Sequence, residues 1–352
     1  MPKKRILVAP LNWGLGHATR CIPIINELIR LNFEPVIASD GAALKLLQKE
    51  FPDLEHHTLP AYNISYSKTE NLFKWKLLLQ TPKIIAAIRK EKVATRELVQ
   101  SQNITGIISD NRWGVRQEKI PSVFITHQLK VLSGSSTTLS SKIQQKLISN
   151  FTECWVPDFK EAPNLSGEMG HLEKASFPVK YIGPLSRFSK IELPIKYKYA
   201  IILSGPEPQR GILEKSLLKE FKNSSSPILF IRGVVEKESK TEKIGNLRIY
   251  NYLFGKQLEE ALNSSEYIIC RSGYTSIMDV AKLKKKAFLI PTPGQPEQEY
   301  LAKKLSENDL VASCDQNKFT LEKLENLKDT KGLRLDFLST RFSDVFCLFQ
   351  GE

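Results

Sequence analysis

The 352-residue chain holds no apolar run approaching the ~20 residues of a bilayer-spanning helix, which excludes a helical membrane span. Cys21, Cys154, Cys270, Cys314 and Cys347 are widely separated, odd in number and form no C-x-x-C. That pattern argues against a disulfide framework or a zinc site and suits a reducing cytoplasm. Repeats and low-complexity tracts are absent. The apolar stretch Ile6 to Pro10 is too short for a signal peptide, and Asn12, His17 and Arg20 break up the residues after it, so it reads as a buried first strand. Acids are in deficit, 38 against 51 Lys and Arg, and the net charge of +13 will attract anions: nucleotide, phospholipid or nucleic acid. No nucleic-acid motif accompanies the charge, and the aromatics do not alternate with basic residues as a stacking platform would, so no nucleic-acid partner is expected.

Length and a hydrophobic content of 41% fit two domains, each able to bury its own core. Short β-branched runs alternate with helical periodicity: Arg5 to Pro10 strand, Thr19 to Leu31 helix, Glu34 to Ser39 strand, Ala42 to Glu50 helix, then strands at Thr105 to Asp110 and Ser122 to His127. This is a parallel, doubly wound α/β pattern. Between Phe177 and Tyr199 the composition turns to Pro178, Gly183, Pro184 and Pro194 without periodicity, as in a linker. The alternation restarts at Tyr199 to Leu203, with strands at Ile228 to Ile231, Leu247 to Tyr252, Tyr267 to Cys270 and Ala287 to Pro291 and helices at Ile212 to Phe221, Leu258 to Leu262 and Ile277 to Lys282. The expected domains are therefore 1–185 and 186–352, facing a cleft, with a C-terminal helix within Leu333 to Phe349. Ligands of such sheets sit at the carboxyl ends of the strands.

Four turns after strands carry chemistry. The first is Asn12-Trp13-Gly14-Leu15-Gly16-His17, where glycines let a ligand approach the backbone and a helix start offers N–H groups to an anion. A dinucleotide fingerprint with Asp40 as its acid fails at the third glycine, where Thr19 stands. His17 is well placed to face the cleft, against a reading as a cap or a packed histidine. Asp110, closing its strand, could orient that histidine or simply serve as a turn residue. Ser204-Gly205-Pro206-Glu207-Pro208-Gln209-Arg210 opens another helix, either as a plain Gly/Pro turn or with Arg210 available to a phosphate. In Arg271-Ser272-Gly273-Tyr274-Thr275-Ser276-Ile277-Met278-Asp279, hydroxyls could meet phosphate and Asp279 could accept both hydroxyls of a ribose. A capping box of Ser276 and Asp279 is the competing reading. Pro291 to Glu299 ends in Glu297-Gln298-Glu299, an acid and amide cluster suited to sugar hydroxyls.

Gly14-Leu15-Gly16-His17 with Pro23, and Cys270-Arg271-Ser272-Gly273 through Asp279, resemble the GT-B glycosyltransferases, specifically family 28, which includes the MurG transferase of peptidoglycan synthesis and the plant galactolipid synthases. Asp279 stands where the family has Glu. Glu297-Gln298 is similar to the D-Q pair that holds donor-sugar hydroxyls in related glucosyltransferases, and Glu299 replaces a second Gln. Two prolines interrupt the phosphate loop at Ser204 to Arg210. The resemblance implies two Rossmann-like domains, a UDP-sugar donor such as UDP-GlcNAc or a UDP-hexose, and inverting transfer to an acceptor hydroxyl, lipid-linked or glycan. It further implies that His17 takes the acceptor proton, while Arg271, Ser276 and the helix starts stabilise the leaving UDP. Gly14, Gly16, Ser204, Gly205, Arg210, Arg271, Ser272, Gly273, Thr275, Ser276, Asp279, Glu297, Gln298 and Glu299 would line the donor site, with His17 and Asp110 catalytic.

No D-x-D occurs, so neither metal nor cofactor is expected. Between Tyr66 and Gln100, eight Lys and Arg against three Glu alternate with Leu72, Phe73, Trp75, Leu77, Leu78, Ile84, Ile85 and Ile88, and Thr81-Pro82 reads as a break between two helices. That segment suits either ordinary packing helices or contact with an anionic membrane at its cytoplasmic face. The rival functions are a nucleotide-sugar epimerase or hydrolase, for which a further acid pair is not identifiable, and a non-catalytic UDP-sugar-binding subunit; a dehydrogenase ranks behind both.

Overall fold

A computed structural model describes residues 3–62, 70–234, 238–333 and 341–351, with 70–82 and 135 described by backbone alone. The chain divides into two compact units: Met1–Arg187 with Phe337–Glu352, and Phe188–Asp336.

In the first unit β1 (Arg5–Pro10), β2 (Glu34–Ser39), β3 (Glu55–Thr58), β4 (Ile104–Asp110), β5 (Ser122–Ile125), β6 (Glu153–Val156) and β7 (Val179–Tyr181) form one sheet in the order 3-2-1-4-5-6-7. Every pairing is parallel. Ile6, Leu7, Val8 and Ala9 are all fully buried, the continuous apolar run of a strand covered on both faces. The helices are α1 (Gly16–Arg30), α2 (Gly41–Glu50), α3 (Glu70–Ser101) and α4 (Thr137–Ile148). The strand order reverses between β1 and β4, and the crevice at such a switch point is where open α/β sheets bind ligands.

Several boundaries differ from the sequence reading. Helix α1 begins at Gly16 rather than near Thr19, which puts His17 inside its first turn. It also carries Pro23 in its interior, so the Thr19 carbonyl loses its helical partner but the helix continues. By the same physics α3 runs through Thr81-Pro82 as one helix, where two were expected. The apolar residues named for membrane contact from Leu72 to Leu78 have side chains outside the described set. Val179–Tyr181, inside the expected linker, is the seventh strand, paired to Cys154–Val156.

The second unit repeats the plan with β8 (Tyr197–Ile202), β9 (Ile228–Ile231), β10 (Thr241–Ile244), β11 (Leu247–Tyr250), β12 (Ser265–Cys270), β13 (Lys286–Leu289) and β14 (Ala312–Ser313), in the order 10-11-9-8-12-13-14. All pairings are parallel except the β10–β11 hairpin, whose outer strand is exposed at each of its residues. Its helices are α5 (Gln209–Phe221), α6 (Gly255–Asn263), α7 (Tyr274–Leu283) and α8 (Pro296–Glu307). Phe221, Phe230, Phe288 and Ile201 are fully buried at the centre of its core. Here the order reverses between β8 and β12.

Of the helix expected within Leu333 to Phe349, the described part is a short α9 (Phe342–Phe346) followed by a 3-10 turn. It packs in the first unit. The Phe346 ring stacks 6.0 Å from Trp155 of β6 and meets Phe33 edge-on at 6.1 Å. Phe349 lies so close over β4 that a Cβ on Gly106 would collide with its ring.

Candidate active site

In the first unit, the turn leaving β1 is fixed from both sides. Leu11 donates its N–H to the Asp110 carbonyl at 2.9 Å. The Asn12 amide donates to Asp40 Oδ2 at 3.0 Å, and its oxygen accepts the Ala43 N–H of α2 at 3.2 Å. Gly14 sits at φ +74, in the left-handed region, with open space where a side chain would stand. Helix α1 then starts without a side-chain cap, and His17 is its second residue.

His17 Nδ1 lies 2.8 Å from Asp110 Oδ1 at the end of β4. Asp110 is fully buried, and Arg20 holds both of its oxygens, Nε at 2.5 Å from Oδ2 and Nη2 on Oδ1. Burial alone would raise the Asp110 pKa. The Arg20 and His17 charges and hydrogen bonds outweigh it and hold the carboxyl far below the usual carboxylate range. An ionised oxygen 2.8 Å from a ring nitrogen requires a proton between them, so His17 carries its hydrogen on Nδ1 and leaves Nε2 as a bare acceptor. The His17 pKa is lowered, chiefly by burial and further by Arg20, against the opposing pull of Asp110. Its side chain remains 15% exposed. The pair is a neutral imidazole with one basic nitrogen, oriented by a carboxylate.

Three neighbours escaped the sequence reading. Arg20 stands one helical turn after His17, a same-face spacing that could have drawn attention to it. His127, just past β5 and buried, has Nδ1 3.2 Å from Arg20 Nη1. Asn111 adopts φ +58, rare for a residue with a side chain, and brings its amide 3.5 Å from His17 Nδ1. Asp40, the acid of the failed dinucleotide fingerprint, pairs with buried Arg112 at 2.7 Å, and Arg112 also holds Glu91 of α3 at 2.7 Å.

In the second unit, the turns after β8, β12 and β13 lie side by side, because these strands are adjacent and parallel. Arg271 joins them. Its guanidinium donates to the Ile290 and Pro291 carbonyls at 3.2 and 3.0 Å, to the Gln209 carbonyl at 2.9 Å and to Gln316 Oε1 at 2.6 Å. It is 1% exposed, and burial lowers its pKa to about 10. Its two terminal nitrogens are thus turned to protein oxygens, while Nε is buried without a hydrogen-bond partner. Ser272 is likewise buried and donates to the Gln298 carbonyl at 2.7 Å. Arg210 is committed to Glu207 and Glu214, at 2.7 and 2.5 Å, instead of standing open to phosphate.

The acid and amide cluster also serves its own turn. Gln298 Oε1 accepts the Thr292 N–H and Glu299 Oε1 the Gly294 N–H, both at 2.9 Å. These are first-turn residues of α8 reaching back to satisfy backbone donors. Glu297 beside them is half-buried. Helix α7 begins at Tyr274 after an extended Gly273 and has no side-chain cap, which removes the capping box of Ser276 and Asp279. Thr275, Ser276 and Asp279 are half-buried. Asp279 is close enough that its charge, after burial, helps push the Cys270 thiol up to about 12. Gly205, Gly273 and Gly294, one from each turn, have open space where a Cβ would lie, and Ser204 beside Gly205 is exposed.

Residues 211–331 match the glycosyltransferase family 28 C-terminal domain. An uncharacterized glycosyltransferase of Methanopyrus kandleri is 21% identical over 81% of this chain and 84% of its own. The UDP-N-acetylglucosamine--N-acetylmuramyl-(pentapeptide) pyrophosphoryl-undecaprenol N-acetylglucosamine transferase of Buchnera aphidicola is 24% identical over 92% of this chain and 88% of its own. The crystal structure of Acinetobacter baumannii MurG superposes with a TM-score of 0.54 at 14% identity, over 93% of this chain and 90% of that one. With two switch-point sheets, a base-like His–Asp pair and this kinship, the chain is an enzyme, a family 28-like glycosyltransferase of the GT-B fold.

Proposed function

We propose that the chain transfers a sugar from a UDP-sugar, UDP-GlcNAc or a UDP-hexose, to an acceptor hydroxyl with inversion at the anomeric carbon. The observation that carries the reading is the His17–Asp110 pair, whose geometry leaves Nε2 unprotonated. Nε2 takes the acceptor proton as the new oxygen–carbon bond forms and the bond from the anomeric carbon to the UDP oxygen breaks, with UDP leaving as the anion. Asp110 stabilises the imidazolium that results. In the second unit the uncapped start of α7, with Thr275 and Ser276, meets the diphosphate, and Asp279 takes the ribose hydroxyls. Gly205, Gly273 and Gly294 keep the surface beside them open to the nucleotide, and Glu297 is the acid offered to the donor sugar.

The Buchnera relative is named for an undecaprenol-linked acceptor, which supports a lipid-linked hydroxyl here. Among the described residues no helix is long and apolar enough to cross a membrane. The basic α3 would bring the enzyme to an anionic surface at its cytoplasmic face, without metal or cofactor. UDP release from a panel of UDP-sugars, with and without lipid and glycan acceptors, tests the reading. Acceptor-dependent release with an inverted product supports it; release that ignores every acceptor points to a hydrolase.

A further inference from the structure

Arg20 does more than neutralise Asp110. A guanidinium has five N–H donors and no acceptor. Two of its nitrogens meet the two Asp110 oxygens, Nη2 also lies 3.0 Å from His17 Nδ1, and Nη1 lies 3.2 Å from His127 Nδ1. The Nη1 contact is a hydrogen bond when His127 Nδ1 presents its lone pair, whereas the Nη2 contact with His17 Nδ1, whose hydrogen faces Asp110, is one of charge. A proton held on His17 places an imidazolium against the guanidinium, and two cations then share one carboxylate. Facing His17 are thus Asp110 from β4 and Arg20 from α1, with Asn111 after β4 and His127 after β5 around them. The Cys21 thiol, 3.7 Å from Asp110 Oδ2, is kept protonated by burial and by that carboxylate's charge.

We propose that Arg20 is the positioning residue of the base: it fixes the Asp110 oxygen that orients His17, lies against His127 beside the pair, and opposes a standing proton on His17, so that the imidazole is a free base before each transfer and sheds its proton afterwards. This deepens the assignment of His17 as base and rests on it. An arginine that served only to fill the space beside α1 would have no need to face both histidines, and its replacement by an uncharged side chain of similar length would leave the His17 titration where it was.

Long-range ¹H–¹⁵N spectra of the full-length protein, with His17→Gln and His127→Gln to identify ring signals, read tautomer and titration midpoint directly. The expected parent has hydrogen on Nδ1 of His17 and on Nε2 of His127. In Arg20→Gln the His17 midpoint moves upward, and in Arg20→Lys, which keeps the charge, it stays nearer the parent. A folded Arg20→Gln protein with an unmoved or lowered midpoint overturns the proposal. If that variant does not fold, the parent spectra still decide: a hydrogen on Nδ1 of His127, or a neutral His17 with its hydrogen on Nε2, overturns it. Failure of the base assignment reads differently, as an His17→Ala enzyme that transfers sugar at the parental rate whatever the spectra show.

Discussion

His17→Ala removes the only nitrogen placed to take the acceptor proton in the proposed mechanism, and turnover should fall by about 10²- to 10⁴-fold. UDP affinity, measured by calorimetry, should stay nearly constant; a parallel loss of binding would make the histidine a donor ligand. Because the His17 pKa is lowered from 6.5, the acid limb of kcat/KM should lie below that value. Stability carries the same sign. Both His17 and Asp110 have folded pKa values below their unfolded ones, so each contributes fully above its unfolded value and loses that contribution as pH falls. Denaturation midpoints should decline first as pH drops below about 6.5, the unfolded histidine range, and again below about 4, the unfolded aspartate range. A flat profile from pH 7 to 5 would contradict the His17 environment. Asp110→Asn should cost about 3 to 5 kcal/mol of stability besides activity, since it leaves the Arg20 charge buried without a counter-charge.

At the scale of elements, strand ends were legible and side-chain commitments were not. Glycine, proline and β-branched spacing located the turns after β1, β4, β8, β12 and β13, because such turns need those residues wherever they occur. That Arg271 faces inward depends on carbonyls from β13 and on Gln209, far apart in sequence, and nothing local announces them. The same holds for Gln298 and Glu299, which look like sugar ligands but close their own turn. Helix starts came out late by several residues, at Thr19 for Gly16 and Ile277 for Tyr274, since apolar periodicity begins only where a helix meets its core. Two variants separate the roles in the second unit. Asp279→Ala should weaken UDP binding by about 2 to 4 kcal/mol, the loss of hydrogen bonds to a charged acceptor; unchanged affinity in calorimetry removes the ribose assignment. Arg271→Ala should instead lower the melting temperature, with UDP binding falling only as the turns loosen.

For the whole molecule, the tandem of two α/β sheets was readable from the repeated alternation, whereas the path of the chain was not. Amphipathicity in the last residues says that they pack, not against what. They return to the first unit, where Phe346 and Phe349 are 0% and 2% exposed. Phe349→Ala should therefore cost about 3 to 5 kcal/mol, the usual loss for a buried phenylalanine, read by chemical denaturation and by Trp155 fluorescence. The first unit is thus encoded discontinuously. A ribosome finishes the sheet of β1 to β7 early, yet the aromatic residues that cover Trp155 and Gly106 are made only after the whole second unit. The second unit, continuous in sequence, can complete its core while the first still waits. Residues 1–187 expressed alone should bind a hydrophobic dye and recover native tryptophan emission when a peptide of 341–352 is supplied in trans.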